Sequence, residues 1–163
     1  MQKFTQKYTV ISLLEHVKEG YEFPSNKWPL HVSIADTFAI KWDINDLIQK
    51  LTDLSKSLKR VSLTMSHYEN FGPEQQIQVA ILNTSKELTA LHYEVVNLLK
   101  KAGVKFNDPQ YTESGFRAHS TVQPHARINV GEKVEIKNLA VVDMFPNKDA
   151  YQRKILKIIK LSN

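Results

Sequence analysis

The sequence predicts an α+β protein in which two similar halves place helices outside and antiparallel sheet inside. Three observations lead there. The apolar pattern runs strand, strand, helix, strand, strand, helix, then three further strands. Two of those segments have the three-and-four spacing of amphipathic helices. One strand in each half carries the same short pattern, His-x-Ser/Thr-apolar. The 163 residues, 42% hydrophobic and 24% charged, suit one globular domain or two small lobes sharing a core.

Tyr8 to Leu14 is a β-prone run, and a loop containing Gly20, Pro24 and Pro29 separates it from a second, Leu30 to Ala35. From Asp43 the period changes. Ile44, Leu47, Ile48, Leu51, Leu54 and Leu58 share one helical face, and Asp43 is placed to cap it. Val61, Leu63 and Met65 then alternate with hydroxyl residues, and after a turn at Gly72-Pro73 the alternation resumes at Ile77, Val79 and Ile81. Thr84-Ser85-Lys86-Glu87 has capping-box spacing before Leu88, Leu91, Val95, Leu98 and Leu99, a run closed by Lys100-Lys101-Ala102-Gly103. An irregular stretch from Val104 to Gly115 leads to strands over Phe116 to Val122 and Val134 to Phe145. Lys154 to Leu161 closes the chain as a strand, although its spacing also fits a short helix. The halves share no identity strong enough to make a sequence repeat.

Composition removes whole chemistries. With no cysteine, disulfides, thiolate nucleophiles, iron-sulfur clusters and cysteine zinc sites are excluded. No His-Glu-x-x-His or His-x-His metal pattern occurs, and no Gly-x-x-x-x-Gly-Lys-Ser/Thr phosphate loop. No apolar run approaches the ~20 residues of a membrane span, and Met1 to Gln6 carry no apolar stretch of leader length. A cytoplasmic monomer with no cofactor and no membrane partner is expected. The net charge of +5 assists an encounter with a polyanion without identifying one.

The repeated pattern is His31-Val32-Ser33-Ile34 and His119-Ser120-Thr121-Val122. The remaining histidines, His16, His67, His92 and His125, have Lys18, Glu69, Glu94 and Arg127 where the hydroxyl would stand. Chance alone gives about 0.3 such tetrapeptides in this composition, so two is an excess. Alternation puts His31 and Ser33 on one strand face and Val32 and Ile34 on the other. Arg117, His119 and Thr121 likewise share a face, and each imidazole stands about 7 Å from its hydroxyl along the strand. Two imidazoles facing one cleft form an acid-base pair, because an unperturbed pKa near 6.5 lets one take a proton while the other delivers one. The Ser33 and Thr121 hydroxyls are suited to donate to non-bridging phosphoryl oxygens, and Arg117 to add charge there.

These motifs, 88 positions apart, resemble those of the two-histidine (2H) phosphoesterase superfamily, which includes the 2',5'-RNA ligase-like proteins and the 2',3'-cyclic nucleotide phosphodiesterases. The resemblance spans almost the whole chain. It implies one bilobal domain over residues 1–163, with pseudo-symmetric antiparallel sheets facing a central water-filled cleft and helices packed outside. It also implies metal-free chemistry on phosphodiesters that involve a ribose 2'-oxygen. Carried over by motif, the catalytic residues are His31, Ser33, His119 and Thr121. Many relatives have Pro immediately before the motif histidine; this chain has Leu30 and Ala118, with Pro29 one place earlier.

The expected function is thus metal-independent cleavage of 2',3'-cyclic phosphates or 2',5' linkages in RNA or nucleotides, with the assignment of base and acid open. A second reading keeps the chemistry but changes the substrate to a cyclic nucleotide signal or an ADP-ribose cyclic phosphate. A third is a binding module for RNA or nucleotide ends. Arg117 lies on the cleft face if its strand reaches that far and is otherwise a solvated strand end. Tyr68, Phe71 and Tyr111 fall in or beside predicted loops, where a ring stacks on a nucleobase or packs on the core. His125, after Pro124, reads as structural or exposed. Lys56-Lys59-Arg60 and Lys154-Lys157-Lys160 read as solvated faces.

Overall fold

The residues that alternate in the sequence build two antiparallel sheets in the structure, a computed structural model that describes residues 6–163. Residues 1–5, read above as lacking a leader, lie outside the described residues. In chain order the elements are β1 (Tyr8–Leu13), β2 (Glu22–Pro24), β3 (His31–Ala39), α1 (Ile44–Ser55), β4 (Val61–Phe71), β5 (Ile77–Leu82), α2 (Lys86–Lys101) and β6 (Lys105–Phe106). Two short 3-10 turns, Pro109–Tyr111 and Glu113–Gly115, precede β7 (His119–Thr121). After it come β8 (Lys133–Ile136), β9 (Asn138–Asp143), a turn at Pro146–Lys148 and β10 (Gln152–Lys160).

The six-stranded sheet has the order β2-β10-β9-β1-β3-β6, and the four-stranded sheet β7-β5-β4-β8. Each sheet holds one of the two tetrapeptides, in β3 and β7. The sheets do not coincide with the chain halves, however, because β9 and β10 return to complete the sheet that β1 began. The run read as one strand over Val134 to Phe145 divides at Lys137: β8 pairs with β4 in one sheet, β9 with β1 in the other. The helical option for the last segment is closed by the pairing of β10 with β9 and β2. Among the described residues, no helix is long and apolar enough to cross a membrane.

Packing follows the alternation. Val32 and Ile34 of β3 are fully buried in the main core, against Leu47 and Leu51 of α1 and Leu88, Leu91, Val95 and Leu99 of α2. The opposite face of that sheet buries a smaller cluster, Ile11, Leu13, Phe23, Ala140, Val142 and Ile155. His31 pairs with Leu13 and Ser33 with Ile11, so both motif side chains stand over this second cluster.

The second helix starts one residue later than its capping box predicts. Ser85 is the cap, its hydroxyl accepting from Leu88 N at 3.0 Å. At the other end Gly103 takes a left-handed φ of 74°. That lets Gly103 N reach Lys100 O and Val104 N reach Leu99 O, both at 3.1 Å, which satisfies carbonyls the helix leaves open. Ser85→Ala should lower stability by about 1 kcal/mol in urea unfolding, and Thr84→Ala by less than about 0.5. The reverse ranking would return the cap to Thr84.

Candidate active site

Each motif histidine is held by its own strand. His31 Nδ1–H donates to the carbonyl of Pro29 at 2.7 Å, and His119 Nδ1–H to that of Arg117 at 2.8 Å. In both the acceptor lies two residues upstream. A carbonyl can only accept, so Nδ1 carries the proton and the Nε2 of a neutral ring keeps its lone pair. Behind each imidazole sits an aromatic ring backed by an arginine. Trp28 lies 4.8 Å from His31, with the Arg153 guanidinium 5.8 Å from the indole. Phe71 meets His119 edge-on at 5.0 Å, with Arg117 5.6 Å from the phenyl ring.

β3 and β7 approach one another where the two sheets meet. Packing around the half-buried His31 lowers its pKa from the ordinary 6.5, a protonated His119 lowers it further, and the Pro29 bond with the more distant Asp36 and Glu15 carboxylates opposes the change. His31 is therefore biased toward the neutral form.

A cavity of about 480 Å³ lies alongside, lined by Ser33, Asp36, Phe71, Tyr111, Arg117 and His119 among others. The structure thus brings five of the expected residues to one cavity, with His31 on the Ser33 face of β3 and Thr121 on the His119 face of β7. Ser33 lines this cavity, and Thr121, partly exposed, lies in β7 two residues beyond His119. A larger cavity, about 780 Å³, mixes Arg60, Lys133 and Lys160 with Glu15 and Glu132 and contains none of the four motif residues. Two of the four, Ser33 and His119, line the smaller one.

Three expectations change. Tyr68 and Phe71 are not in a loop but in β4, which runs on to Phe71 before Gly72 turns the chain at a φ of 94°. Tyr68 leaves the cavity wall: its hydroxyl donates to Ile128 O at 2.7 Å. Arg117 is not a free cation, because its fork binds Glu69 at 3.1 and 2.6 Å. Tyr111, 57% exposed, stays at the cavity wall. His125 bonds Glu15 at 2.9 Å, and the same carboxylate accepts from Leu30 N, next to His31. Among the described residues, no three His, Asp or Glu side chains gather to hold a metal ion.

Sequence reasoning missed Glu69 and Trp28. Glu69 belongs to the same sheet face as Thr121 because both pair with Val79, which brings its carboxylate within reach of Arg117 just before β7. Its alternation with His67 and Phe71 was the available signal. For Trp28 the signal was an aromatic residue three before a motif histidine.

Comparisons with known proteins give the family and the fold. A family model described as the 2'-5' RNA ligase superfamily matches residues 7–137. A crystal structure described as a phosphoesterase aligns over 97% of this chain and 99% of that chain, at 13% identity and a TM-score of 0.59. E. coli LigT complexed with 3'-AMP gives the same coverage, identity and score. E. coli LigT complexed with phosphate aligns over 97% of this chain and 98% of its own, at 11% identity and a TM-score of 0.58. No curated protein matches the sequence. At these identities the solved structures establish the fold.

The Arg117 and His67 hydrogen bonds hold the Glu69 carboxyl at about 2, against an ordinary 4.5. Its carboxyl carbon should titrate with a midpoint about 2 in NMR, and Arg117→Ala should move that midpoint up toward 4.5. A midpoint already near 4.5 in the intact protein would show that the pair does not form in solution.

Proposed function

The chain belongs to the 2'-5' RNA ligase superfamily, and on that footing we propose that it is a metal-independent phosphoesterase cleaving 2',3'-cyclic phosphates or 2',5'-phosphodiesters of RNA or nucleotides. The observation that carries the reading is the matched pair of imidazoles, each anchored through Nδ1 to a carbonyl two residues upstream and each left with Nε2 for chemistry. A binding module has no need of two titrating rings held alike on facing strands.

His31, biased toward neutrality by burial and by its partner's charge, is the base. Its Nε2 removes a proton from the attacking water as the water oxygen bonds to phosphorus. His119, protonated, gives its Nε2 proton to the departing ribose oxygen as the P–O bond breaks, and a phosphomonoester with a free hydroxyl results. The next turnover needs that proton to pass from His31 back to His119 through solvent. Ser33 and Thr121 donate hydrogen bonds to the non-bridging oxygens, where negative charge concentrates in the pentacoordinate state. Residues 1–163 act as one bilobal unit with the reaction at the junction of the sheets. Tyr111 and Phe71 offer ring faces to a base.

Assays in EDTA with 2',3'-cyclic nucleotides, 2',5'-linked oligonucleotides, cyclic dinucleotides and ADP-ribose cyclic phosphate test this. Turnover of one of these should persist without metal, and His31→Ala or His119→Ala should each reduce kcat/KM by about 10²–10⁴-fold. The preferred substrate chooses between RNA-type ends and a cyclic nucleotide or ADP-ribose signal. A metal requirement, or full activity without either histidine, would end the proposal, and binding without turnover would leave the module reading.

The pH dependence has a definite sign. A base with a lowered pKa stays neutral to lower pH, so kcat/KM should follow a bell whose acid limb lies below the ordinary 6.5. An acid limb above that value would take the role of base away from His31.

A further inference from the structure

His92 is 1% exposed, on the inner face of α2, and takes no part in the proposed chemistry. A buried imidazole needs partners for both nitrogens, and these are found on two separate elements. Nδ1–H donates to Ile34 O of β3 at 2.6 Å, while Nε2 accepts from Glu113 N at 2.8 Å. The ring also lies flat against Phe116, with centroids 4.0 Å apart and planes within 5°. β6 covers β3 only at Phe38 and Ala39, so at Ile34 this side chain takes the place of a neighbouring strand. One ring therefore joins the last residue of the first tetrapeptide to the segment that leads into the second histidine.

That segment, residues 110–117, supplies Tyr111, Phe116 and Arg117 to the cavity wall. We propose that His92 is a positioning residue: it holds this wall at a fixed distance from the His31 strand and thereby sets substrate affinity, without touching the substrate. The proposal rests on the cavity being the phosphoesterase cleft. Only a neutral ring accepts the Glu113 amide. Burial favours that form by lowering the pKa, against the Ile34 bond and the Glu113 carboxylate, which favour the charged ring. Glu113 itself is paired with Lys100 at 2.8 Å. Ile34 presents a carbonyl, while Phe116 and Tyr93 present rings.

His92→Phe keeps the ring and removes both hydrogen bonds, whereas His92→Gln keeps an oxygen able to accept from Glu113. Amide exchange at Glu113 and steady-state hydrolysis of 2',3'-cyclic AMP from pH 5 to 8 are the two measurements. In the Phe variant the Glu113 amide should exchange about tenfold faster, and KM should rise about tenfold with kcat within about twofold. The Gln variant should recover most of both. Because protonation breaks the same bond in the wild type, the ratio of the two KM values should shrink toward one at acid pH. Unchanged exchange and KM in the Phe variant would overturn the proposal, as would losses of kcat and KM that track unfolding and that Gln does not rescue. Should the wild type hydrolyse neither cyclic phosphates nor 2',5'-linked oligonucleotides, the activity reading fails and the exchange measurement alone decides the role of His92. If neither variant folds, nitrogen NMR of the wild type decides: the proposal requires His92 neutral with its proton on Nδ1 at pH 7.

Discussion

A hydrogen bond from each motif imidazole to the backbone two residues upstream is the constraint from which the site follows. It makes ring orientation a property of the strand, so whatever fixes β3 and β7 also fixes the direction of both Nε2 lone pairs. The acceptor is as important as the geometry. A carboxylate in that place would strongly favour the imidazolium, whereas a neutral carbonyl raises the pKa less than burial lowers it at His31. One ring can therefore stay neutral beside a charged partner. The aromatic-arginine stacks behind each ring, Trp28 with Arg153 and Phe71 with Arg117, repeat on both sheets the means by which rotation about the Cβ bond is restrained.

The charge of the molecule is not delivered to this cavity as a free cation. Arg117 is paired with Glu69, and Asp36 places a carboxylate in the wall itself. On the proposed reaction, phosphoryl charge is met chiefly by two neutral hydroxyls and one imidazolium, donors whose value rises where water is excluded. The net charge of +5 then acts at long range, on the encounter and not on the chemical step.

Much of this was legible in the sequence where periodicity is local. The alternation in His31-Val32-Ser33-Ile34 assigns faces correctly, because each apolar residue is buried in the helix-covered core. Asp43 caps α1 as its position implies, its side chain accepting from Asn45 N. What failed depends on distant partners. β2 and β6, of three and two residues, are too short to show a period and exist because neighbouring strands offer open edges. The period breaks at the polar pair Lys137-Asn138, but a break alone does not show that β8 and β9 join different sheets. Tyr68 and Phe71 look equivalent until they are placed in one strand, where an odd spacing sends them to opposite faces. Glu69 gains its role from an arginine 48 residues away.

The order of strands in the larger sheet also governs when the cleft can exist. β1 lies between β3, its near neighbour in sequence, and β9, whose Asn138 side chain bonds the Leu13 backbone across a separation of 125 residues. Both motifs are synthesised before β9 and β10, yet the apolar cluster on the His31 face of the sheet includes Ala140, Val142 and Ile155 from those two strands. Closing so long a loop must precede the contacts that reward it, which places this sheet among the slow-folding, high-contact-order topologies. A chain that ends its synthesis thus carries both histidines before the sheet that seats His31 is complete, and the proposed chemistry waits on the last strands.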